Sequence, residues 1–196
     1  IIIVMPGGVY GPGDHSFLGQ AMEMFYRGVP VLPGPETTFT YAHVEDIAEG
    51  IILAAEKGEL GESYILAGPA VPLGEMVDFW SYLTGKPAPP LRVPSSVFHK
   101  VAPVMEAAGS IAPLPRLFTG EALGATGATY IGRADKARAE LGWRPRPLQA
   151  GMLETFEWIA ANTPPPALDT RQRRIAGVAL LAAAALFIAW LLRRKA

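Results

Sequence analysis

The chain has 196 residues, of which 50% are hydrophobic, and it contains no cysteine. A chain of this length buries a core of ordinary size, while the lack of cysteine excludes a disulfide scaffold, a cysteine-ligated zinc site and thiol catalysis. With 17 basic and 18 acidic side chains, the chain has a formal net charge of −1, which gives no reason to expect nucleic acid as a partner. The chain opens on an isoleucine run and not on a start methionine, so we interpret it as a piece of a longer protein.

The first part of the chain alternates between strand and helix patterns. The apolar run from Ile1 to Met5 predicts a strand buried on both faces, as in a parallel sheet, and Pro6-Gly7-Gly8 ends it. Glu45 and Asp46 open a helix at its positive end. The apolar residues that follow them at helical spacing are Ile47, Ala48, Ile51, Ile52 and Ala55. The other predicted elements here are a helix over 17–27, short strands over 29–32 and 37–41, and a buried strand over 63–67.

The second part of the soluble region is richer in helices. Pro72 starts a helix that Gly85 follows, and Pro147 starts the last soluble helix. A short helix is predicted over 134–141 and a longer one over 95–108. Since strands and helices alternate at these lengths, the sequence predicts an α/β fold with a partly parallel sheet.

An uncharged stretch without proline covers residues 175–192 near the end of the chain. As a helix, its eighteen residues would span roughly 27 Å, close to the roughly 30 Å hydrocarbon core of a bilayer. A buried helix rarely carries cations at both ends, and an amphipathic surface helix needs a polar face that this stretch lacks. We therefore predict a transmembrane helix over 175–192, flanked by Arg171, Arg173 and Arg174 on one side and by Arg193, Arg194 and Lys195 on the other.

The predicted anchor sets the expected organisation of the chain. The soluble part would cover residues 1–162, and a Pro-rich and basic linker over 163–174 would join it to the membrane helix. Membrane lipid is therefore an expected partner, and we expect the soluble part to lie in the cytoplasm. The equal number of cations on the two sides of the helix leaves its orientation open.

Four short segments follow one another in an order that is informative as a set. They are Met5-Pro6-Gly7-Gly8-Val9-Tyr10-Gly11-Pro12-Gly13-Asp14, residues 41–50, residues 61–68 and residues 136–145. Together they resemble the signatures of the extended short-chain dehydrogenases/reductases, the NAD-dependent epimerase/dehydratase family, over about residues 1–160. The resemblance implies the C-terminal portion of a Rossmann-type parallel sheet and a small, mostly helical substrate-binding lobe.

Two parts that the family requires are missing. No Gly-rich turn follows a strand, although such a turn lets the backbone approach a dinucleotide pyrophosphate. The family's catalytic Tyr-x-x-x-Lys pair is also missing, because only Tyr82 and Lys86 have that spacing and they lie downstream of the second segment. The resemblance therefore implies NAD or NADP as cofactor, bound through an N-terminal half that this chain lacks, and it assigns no catalytic residue here.

Pro6, Gly7, Gly8 and Val9 are the positions that the resemblance assigns to the cofactor. In the family, the loop after this strand passes the nicotinamide end of the dinucleotide. Proline donates no hydrogen bond and glycine lets the backbone come close to a ligand, so the residue types suit that contact. A plain exit from a strand into a loop is the alternative for each of these residues.

Five further residues are candidates for substrate binding. Phe39 stands where nucleotide-sugar members typically carry an arginine that pairs with the diphosphate. Because a phenyl ring cannot neutralise a diphosphate, the resemblance favours a small apolar substrate. It is closest to the dihydroflavonol-reductase, hydroxysteroid-dehydrogenase and hopanoid-associated epimerase-like branches. The other candidates belong to the first segment or follow it, and they are Tyr10, His15, Ser16 and Phe17.

The three histidines show no metal-ligand spacing, so no metal site is predicted. His43 is expected to hold the junction between a strand and a helix by hydrogen bonding, and His99 is expected at the surface. For His15, a solvated position in its Gly-rich loop is the alternative to a substrate contact.

Two functions remain open at this point. The first is the C-terminal part of an NAD(P)-dependent oxidoreductase or epimerase that acts on a carbonyl or hydroxyl carbon. The second is a membrane-tethered, non-catalytic binding module that keeps only the substrate lobe. The family resemblance also implies a homodimer. The choices between NAD and NADP, and between reduction, epimerisation and dehydration, stay open.

Overall fold

A computed structural model of the chain describes residues 1–97, 100 and 127–163. Strands and helices alternate through most of this part of the chain, as the sequence predicts. The strands are β1 (Ile3–Pro6), β2 (Gly8–Tyr10), β3 (Val31–Pro33), β4 (Thr38–His43), β5 (Ser63–Leu66), β6 (Ala70–Pro72), β7 (Leu91–Val93) and β8 (Thr129–Tyr130). The helices are α1 (Phe17–Tyr26), α2 (Val44–Lys57), α3 (Leu73–Thr84) and α4 (Leu148–Asn162), and a π-helical turn covers Ala137–Leu141.

Parallel pairing dominates among the strands. β1 runs parallel to β5, and β3 runs parallel to β7. β4 is central to the third sheet, in which β2 and β8 pair with it in parallel and β6 pairs with it in the antiparallel direction. The predicted α/β class with a partly parallel sheet is therefore confirmed.

Two clusters of buried side chains hold these elements together. The aromatic core lies between α1, α3 and α4, where the rings of Phe25, Trp80 and Phe156 meet with centroids 5.7, 5.8 and 5.9 Å apart. The second core joins β5 and α2 to the π-helical turn, and Trp143, which is 0% exposed, lies within it. Most of the stabilisation of such short strands comes from this kind of packing against helices.

β1 is less covered than its apolar sequence predicts. Ile2 and Val4 pack against the second core, while Ile3 and Met5 are 51% and 42% exposed. Successive side chains on a strand point to opposite faces, so these two exposed residues share the face turned away from that core. The prediction of a strand buried on both faces is wrong for the described structure, because the described residues leave this second face about half-exposed.

None of the helices described has both the length and the apolar character needed to cross a bilayer. The predicted membrane helix over 175–192 lies outside the described residues. Residues 164–174 of the linker, His99 and most of the helix predicted over 95–108 also lie outside them. These expectations stay predictions.

Candidate functional site

The junction between β1 and β2 holds the positions predicted to face the cofactor. β1 ends at Pro6, the Gly7 backbone N–H donates to the Leu66 carbonyl oxygen at 2.9 Å, and β2 begins at Gly8. A Cβ added to Gly7 would lie 2.6 Å from Thr40 Oγ1, and one added to Gly8 would lie 2.9 Å from the Thr40 carbonyl oxygen. Packing against β4 therefore already requires glycine at both positions, and the cofactor contact stays a prediction.

The residues on either side of these glycines differ in exposure. Pro6 is exposed, and Val9 is half-buried against the second core. Tyr10 is 1% exposed and belongs to the aromatic core, where its ring meets the edge of the His43 ring with centroids 5.5 Å apart. The structure thus places Tyr10 in a packing role, and its contact with a substrate stays a prediction.

Phe39 lies on β4 beside this junction. Its Cβ is 4.0 Å from the position that a Cβ on Gly8 would take. Its ring stacks on that of Tyr130 in β8, with centroids 5.8 Å apart and planes 3° apart, and Tyr130 is 62% exposed. The structure therefore brings a predicted cofactor position and a predicted substrate position together. It also adds Tyr130, which sequence reasoning did not single out because only the β4–β8 pairing places it beside Phe39.

His15, Ser16 and Phe17 form the entry to α1. Ser16 caps this helix, because its hydroxyl oxygen accepts a hydrogen bond from the Leu18 N–H at 3.2 Å. His15 and Ser16 are exposed, whereas Phe17 is half-buried. Ser16 thus has a structural role in the described chain, and substrate contacts by all three residues stay predictions.

Phe17 also lines a small apolar crevice between α1, β3 and α3. The crevice has a volume of about 30 Å³, and its walls include Met24, Leu32, Val77 and Trp80. This volume holds little more than a water-sized group. Within the described part of the chain, the buried Trp80 indole N–H has no hydrogen-bond partner. The crevice can therefore accept the end of an apolar group but not a whole substrate.

A cluster of charged side chains surrounds the carboxyl end of β4. The Arg146 guanidinium donates to Asp46 Oδ1 at 2.9 Å, to Glu45 Oε2 at 2.6 Å and to Glu154 Oε2 at 3.0 Å. The buried His43 side chain accepts a hydrogen bond from the Glu45 N–H through Nδ1 at 3.4 Å and so caps α2. The expected role of His43 at a strand–helix junction is confirmed.

Sequence reasoning missed Arg146 and Glu154 as members of this cluster. Arg146 lies 100 positions after Asp46 in the chain, so no spacing rule connects the two. The one available signal was the acidic pair at the start of α2, which the sequence analysis assigned to the helix dipole alone.

The cluster has the spacing of a cation site but not its chemistry. His43, Glu45 and Glu154 each place one donor atom within 4.8 Å of the others. Both carboxylates already accept hydrogen bonds from Arg146, and the His43 Nδ1 faces a backbone N–H. A cation would have to displace Arg146, so we assign no metal to these residues.

The environment of the cluster fixes the charges of its members near neutral pH. Hydrogen bonding to Arg146 lowers the pKa of the Glu45 carboxyl, and the same contact raises the pKa of Arg146 above its usual range. Burial lowers the pKa of the His43 imidazole, and the charge of Arg146 lowers it further. Burial raises the pKa of the Tyr10 hydroxyl. Glu45 and Arg146 are therefore charged, whereas His43 and Tyr10 are neutral.

Tyr82 and Lys86, which alone have the spacing of the family's catalytic pair, are not arranged for proton transfer. The Tyr82 side chain is 79% exposed at the end of α3. The Lys86 Nζ lies 4.0 Å from the centre of the Tyr26 ring, in a cation–π contact. The assignment of no catalytic role to this pair stays a prediction.

Comparison with known proteins shows which proteins this chain is similar to. No family model matches the sequence. The chain is 26% identical over 206 residues to short-chain dehydrogenase/reductase family 42E member 1 of Bos taurus, covering 95% of this chain and 51% of that protein. It is 26% identical over 171 residues to sterol demethylase protein B of Methylococcus capsulatus, covering 81% of this chain and 49% of that protein. These relatives support the extended short-chain dehydrogenase/reductase family as the one that this chain resembles.

Solved structures share the fold of this chain. The structure of gox2253 is 32% identical with a TM-score of 0.65, covering 83% of this chain and 49% of that one. The Bordetella bronchiseptica enzyme WbmF, solved in complex with NAD+, is 22% identical with a TM-score of 0.57, covering 82% of this chain and 46% of that one. The chain thus spans about half the length of the curated relatives that it matches. The family resemblance of the four sequence segments is confirmed.

Proposed function

We propose that this chain is the C-terminal part of an NAD(P)-dependent oxidoreductase or epimerase that acts on a carbonyl or hydroxyl carbon of an apolar substrate. The chain would supply the loop that passes the nicotinamide and one wall of the substrate cleft. A preceding part of the protein would supply the Gly-rich turn for the dinucleotide and the Tyr-x-x-x-Lys pair. The NAD+ bound in WbmF, which shares the fold, supports a nicotinamide cofactor.

The observation that carries this proposal is the contact between the β1–β2 junction and Phe39. Hydride transfer needs the donor and acceptor carbons to approach within about 3–3.5 Å, so a cofactor loop and a substrate wall must be neighbours. In the structure, Gly8 of the junction packs beside Phe39, and the exposed ring of Tyr130 extends that wall outward. This neighbourhood supports a cleft in which a nicotinamide and a substrate meet.

The exposed face of β1 favours a multi-part enzyme over a stand-alone binding module. Within the described chain β1 pairs with β5 only, so its other edge is unpaired there, and Ile3 and Met5 on one face are about half-exposed. Folded proteins normally protect such apolar edge strands, because they pair readily with other chains. A preceding part of the protein that continued the sheet would pair with this edge, and the helices that connect its strands would cover this face.

The aromatic wall supports the apolar character of the substrate. Phe39 and Tyr130 offer stacked rings and no cation, so they suit an uncharged carbon skeleton better than a diphosphate. The crevice beside Phe17 is likewise lined by apolar side chains. The name of the relative from Methylococcus capsulatus, sterol demethylase protein B, agrees with an apolar substrate.

Phe39→Arg is the substitution that tests the substrate class. A guanidinium at this position would disrupt the stacked wall, and one lost apolar contact in a binding pocket costs about 1–3 kcal/mol, so binding of an uncharged apolar probe should weaken about tenfold or more. Nile red fluorescence with the full chain measures this, and Phe39→Leu, which keeps an apolar side chain, is the matched control. New affinity of Phe39→Arg for UDP-glucose without any loss of Nile red binding would contradict the proposal.

The chain by itself is expected to oxidise neither NADH nor NADPH. It has no Gly-rich turn after a strand to hold a dinucleotide, and its one Tyr-x-x-x-Lys spacing, that of Tyr82 and Lys86, lies downstream of the place that the family's catalytic pair takes. The measurement is the loss of nicotinamide absorbance when the purified chain is mixed with either cofactor and a panel of ketones. Steady turnover above the protein-free control would overturn the assignment of the catalytic groups to a preceding part.

We also propose that residues 175–192 anchor the protein in a membrane, that its soluble part lies in the cytoplasm, and that it works as a homodimer. The uncharged stretch with cations at both ends supports the anchor. An apolar substrate partitions into lipid, so an anchor would hold the enzyme where its substrate accumulates.

A further inference from the structure

His43 sits at a point where three elements meet. It is the last residue of β4 and precedes α2, and its side chain is 0% exposed. The Tyr10 ring of β2 packs against it edge-on, and Glu154 of α4 places Oε2 3.7 Å from its Nε2. A change in the imidazole therefore reaches β2, α2 and α4 together.

The hydrogen bonds of His43 fix where its proton lies. Nδ1 accepts from the Glu45 N–H, so in the neutral ring this nitrogen carries no proton. The proton is then on Nε2, which has no hydrogen-bond partner among the described residues and lies 3.7 Å from the Glu154 carboxylate. The neutral tautomer with a proton on Nε2 suits both neighbours.

Protonation of Nδ1 would reverse this fit. Two donors, Nδ1–H and the Glu45 N–H, would then face each other 3.4 Å apart at the positive end of α2. Burial and the nearby charge of Arg146 oppose the added charge and lower the pKa of His43, while the carboxylates around the ring offset part of this effect. The titratable and charged groups that face the ring are Tyr10 from β2, Glu45 and Asp46 from α2, Arg146 from the segment before α4, and Glu154 from α4.

We propose that His43 is an acid-sensitive cap: the neutral imidazole closes the junction of β2, α2 and α4, and its protonation opens the first turn of α2. Because β2 begins at the Gly8 junction, His43 is also a positioning residue for the loop beside Phe39. The proposal stands on the contacts of His43 alone and does not depend on the substrate or the cofactor.

The direction of the pH effect follows from the lowered pKa. The unfolded chain takes up the proton near the ordinary histidine value of about 6.5, whereas the folded chain takes it up only at lower pH. Above about pH 6.5 this group leaves the folding equilibrium unchanged. As the pH falls from there toward the folded pKa, the unfolding equilibrium constant rises by up to about tenfold per pH unit, the limit for one proton.

Urea unfolding of the full chain between pH 5 and 8, in a non-denaturing detergent and followed by tryptophan fluorescence, tests the cap. His43→Asn keeps a side-chain oxygen that can cap α2 but does not titrate. We expect it to lose the rise in the unfolding constant below pH 6.5. His15→Asn, at an exposed histidine, is the matched control and should keep the rise. An unchanged pH dependence in His43→Asn, or its loss in His15→Asn, would overturn the proposal.

A second measurement covers the case in which His43→Asn fails to fold. In the unmodified chain, NMR titration should show the His43 imidazole and the Glu45 amide changing together, with one midpoint below 6.5. A midpoint at or above 6.5, or a Glu45 amide that does not respond to the titration of His43, would contradict the cap.

Discussion

Replacing Trp143 by alanine is expected to lower the free energy of unfolding by about 3–5 kcal/mol. Trp143 is 0% exposed and lies in the second core, and its indole Nε1 donates to the Asp46 carbonyl oxygen at 2.7 Å. The substitution would leave a large cavity and remove the hydrogen bond that the indole adds to this carbonyl in the first turn of α2. Urea unfolding at constant pH measures the change.

Two further variants separate the contributions of Trp143. Trp143→Phe keeps most of the apolar volume but not the hydrogen bond, so it should lose about 0.5–1.5 kcal/mol, the net contribution of one hydrogen bond. Tyr82→Ala, at a side chain that is 79% exposed, should change the stability by no more than about 0.5 kcal/mol. A loss below about 1 kcal/mol in Trp143→Ala would show that the second core does not depend on this residue.

Arg146→Met is expected to lower the free energy of unfolding by about 3–5 kcal/mol, because it removes the guanidinium partner of a buried carboxylate. The Asp46 side chain is 7% exposed and accepts from Arg146 Nε at 2.9 Å. Methionine keeps an apolar stem of similar length, so the loss reports mainly on the charge. The backbone N–H of residue 146 still donates to Asp46 in the variant. The loss of stability should therefore be smaller than if the carboxylate had no donor left.

The exposed pair of Arg92 and Asp78 supplies the matched control for Arg146. Both of these side chains are more than a third exposed, so Arg92→Met should lose only about 0–1 kcal/mol. Combining Arg146→Met with Asp46→Asn should recover about 0.5–3 kcal/mol of the summed losses, since the two residues act as a pair. Strict additivity of the two substitutions would contradict a direct interaction.

Structural features that depend on residues close together in the sequence were predictable. The predicted start of α3 at Pro72 and its end at Gly85 agree with the structure, where the helix covers Leu73–Thr84 and Gly85 follows it at φ 67°. Proline before a helix and glycine after it act through local backbone geometry. The capping role of His43 was predictable for the same reason, because its partner is two residues away.

The buried face of α2 does not coincide with the apolar residues whose spacing predicted this helix. The apolar spacing pointed to a stripe that includes Ile51 and Ile52, yet these two residues are 49% and 57% exposed. The buried stripe is instead Asp46, Ile47, Gly50 and Ala54. Arg146 and Trp143 fix it by their hydrogen bonds to Asp46, and these partners lie about a hundred residues later in the chain.

The sequence pointed to single residues of the candidate site but not to the contacts between them. The motif resemblance assigned Gly8 and Phe39 to different ligands, and their contact follows from the parallel pairing of β2 with β4. Tyr130 joins them through a two-residue strand that no periodic pattern marks. Which distant strands pair depends on the packing of the whole sheet, so a local sequence pattern does not predict the pairing.

The central claim is that this chain is the C-terminal part of an NAD(P)-dependent enzyme. Its most direct test measures dinucleotide binding by the protein expressed from the whole reading frame that contains Ile1. The account predicts that the frame continues upstream into a Gly-rich strand–turn–helix and a Tyr-x-x-x-Lys pair, and that the protein binds NADH or NADPH. Pro6→Asp, which adds a carboxylate at the exposed end of β1, should weaken that binding at least about tenfold by repelling the anionic cofactor. Leu60→Asp, at a position that is 85% exposed, should bind as the unmodified protein does. A protein that binds neither cofactor, or one whose binding is unaffected by Pro6→Asp, would contradict the account.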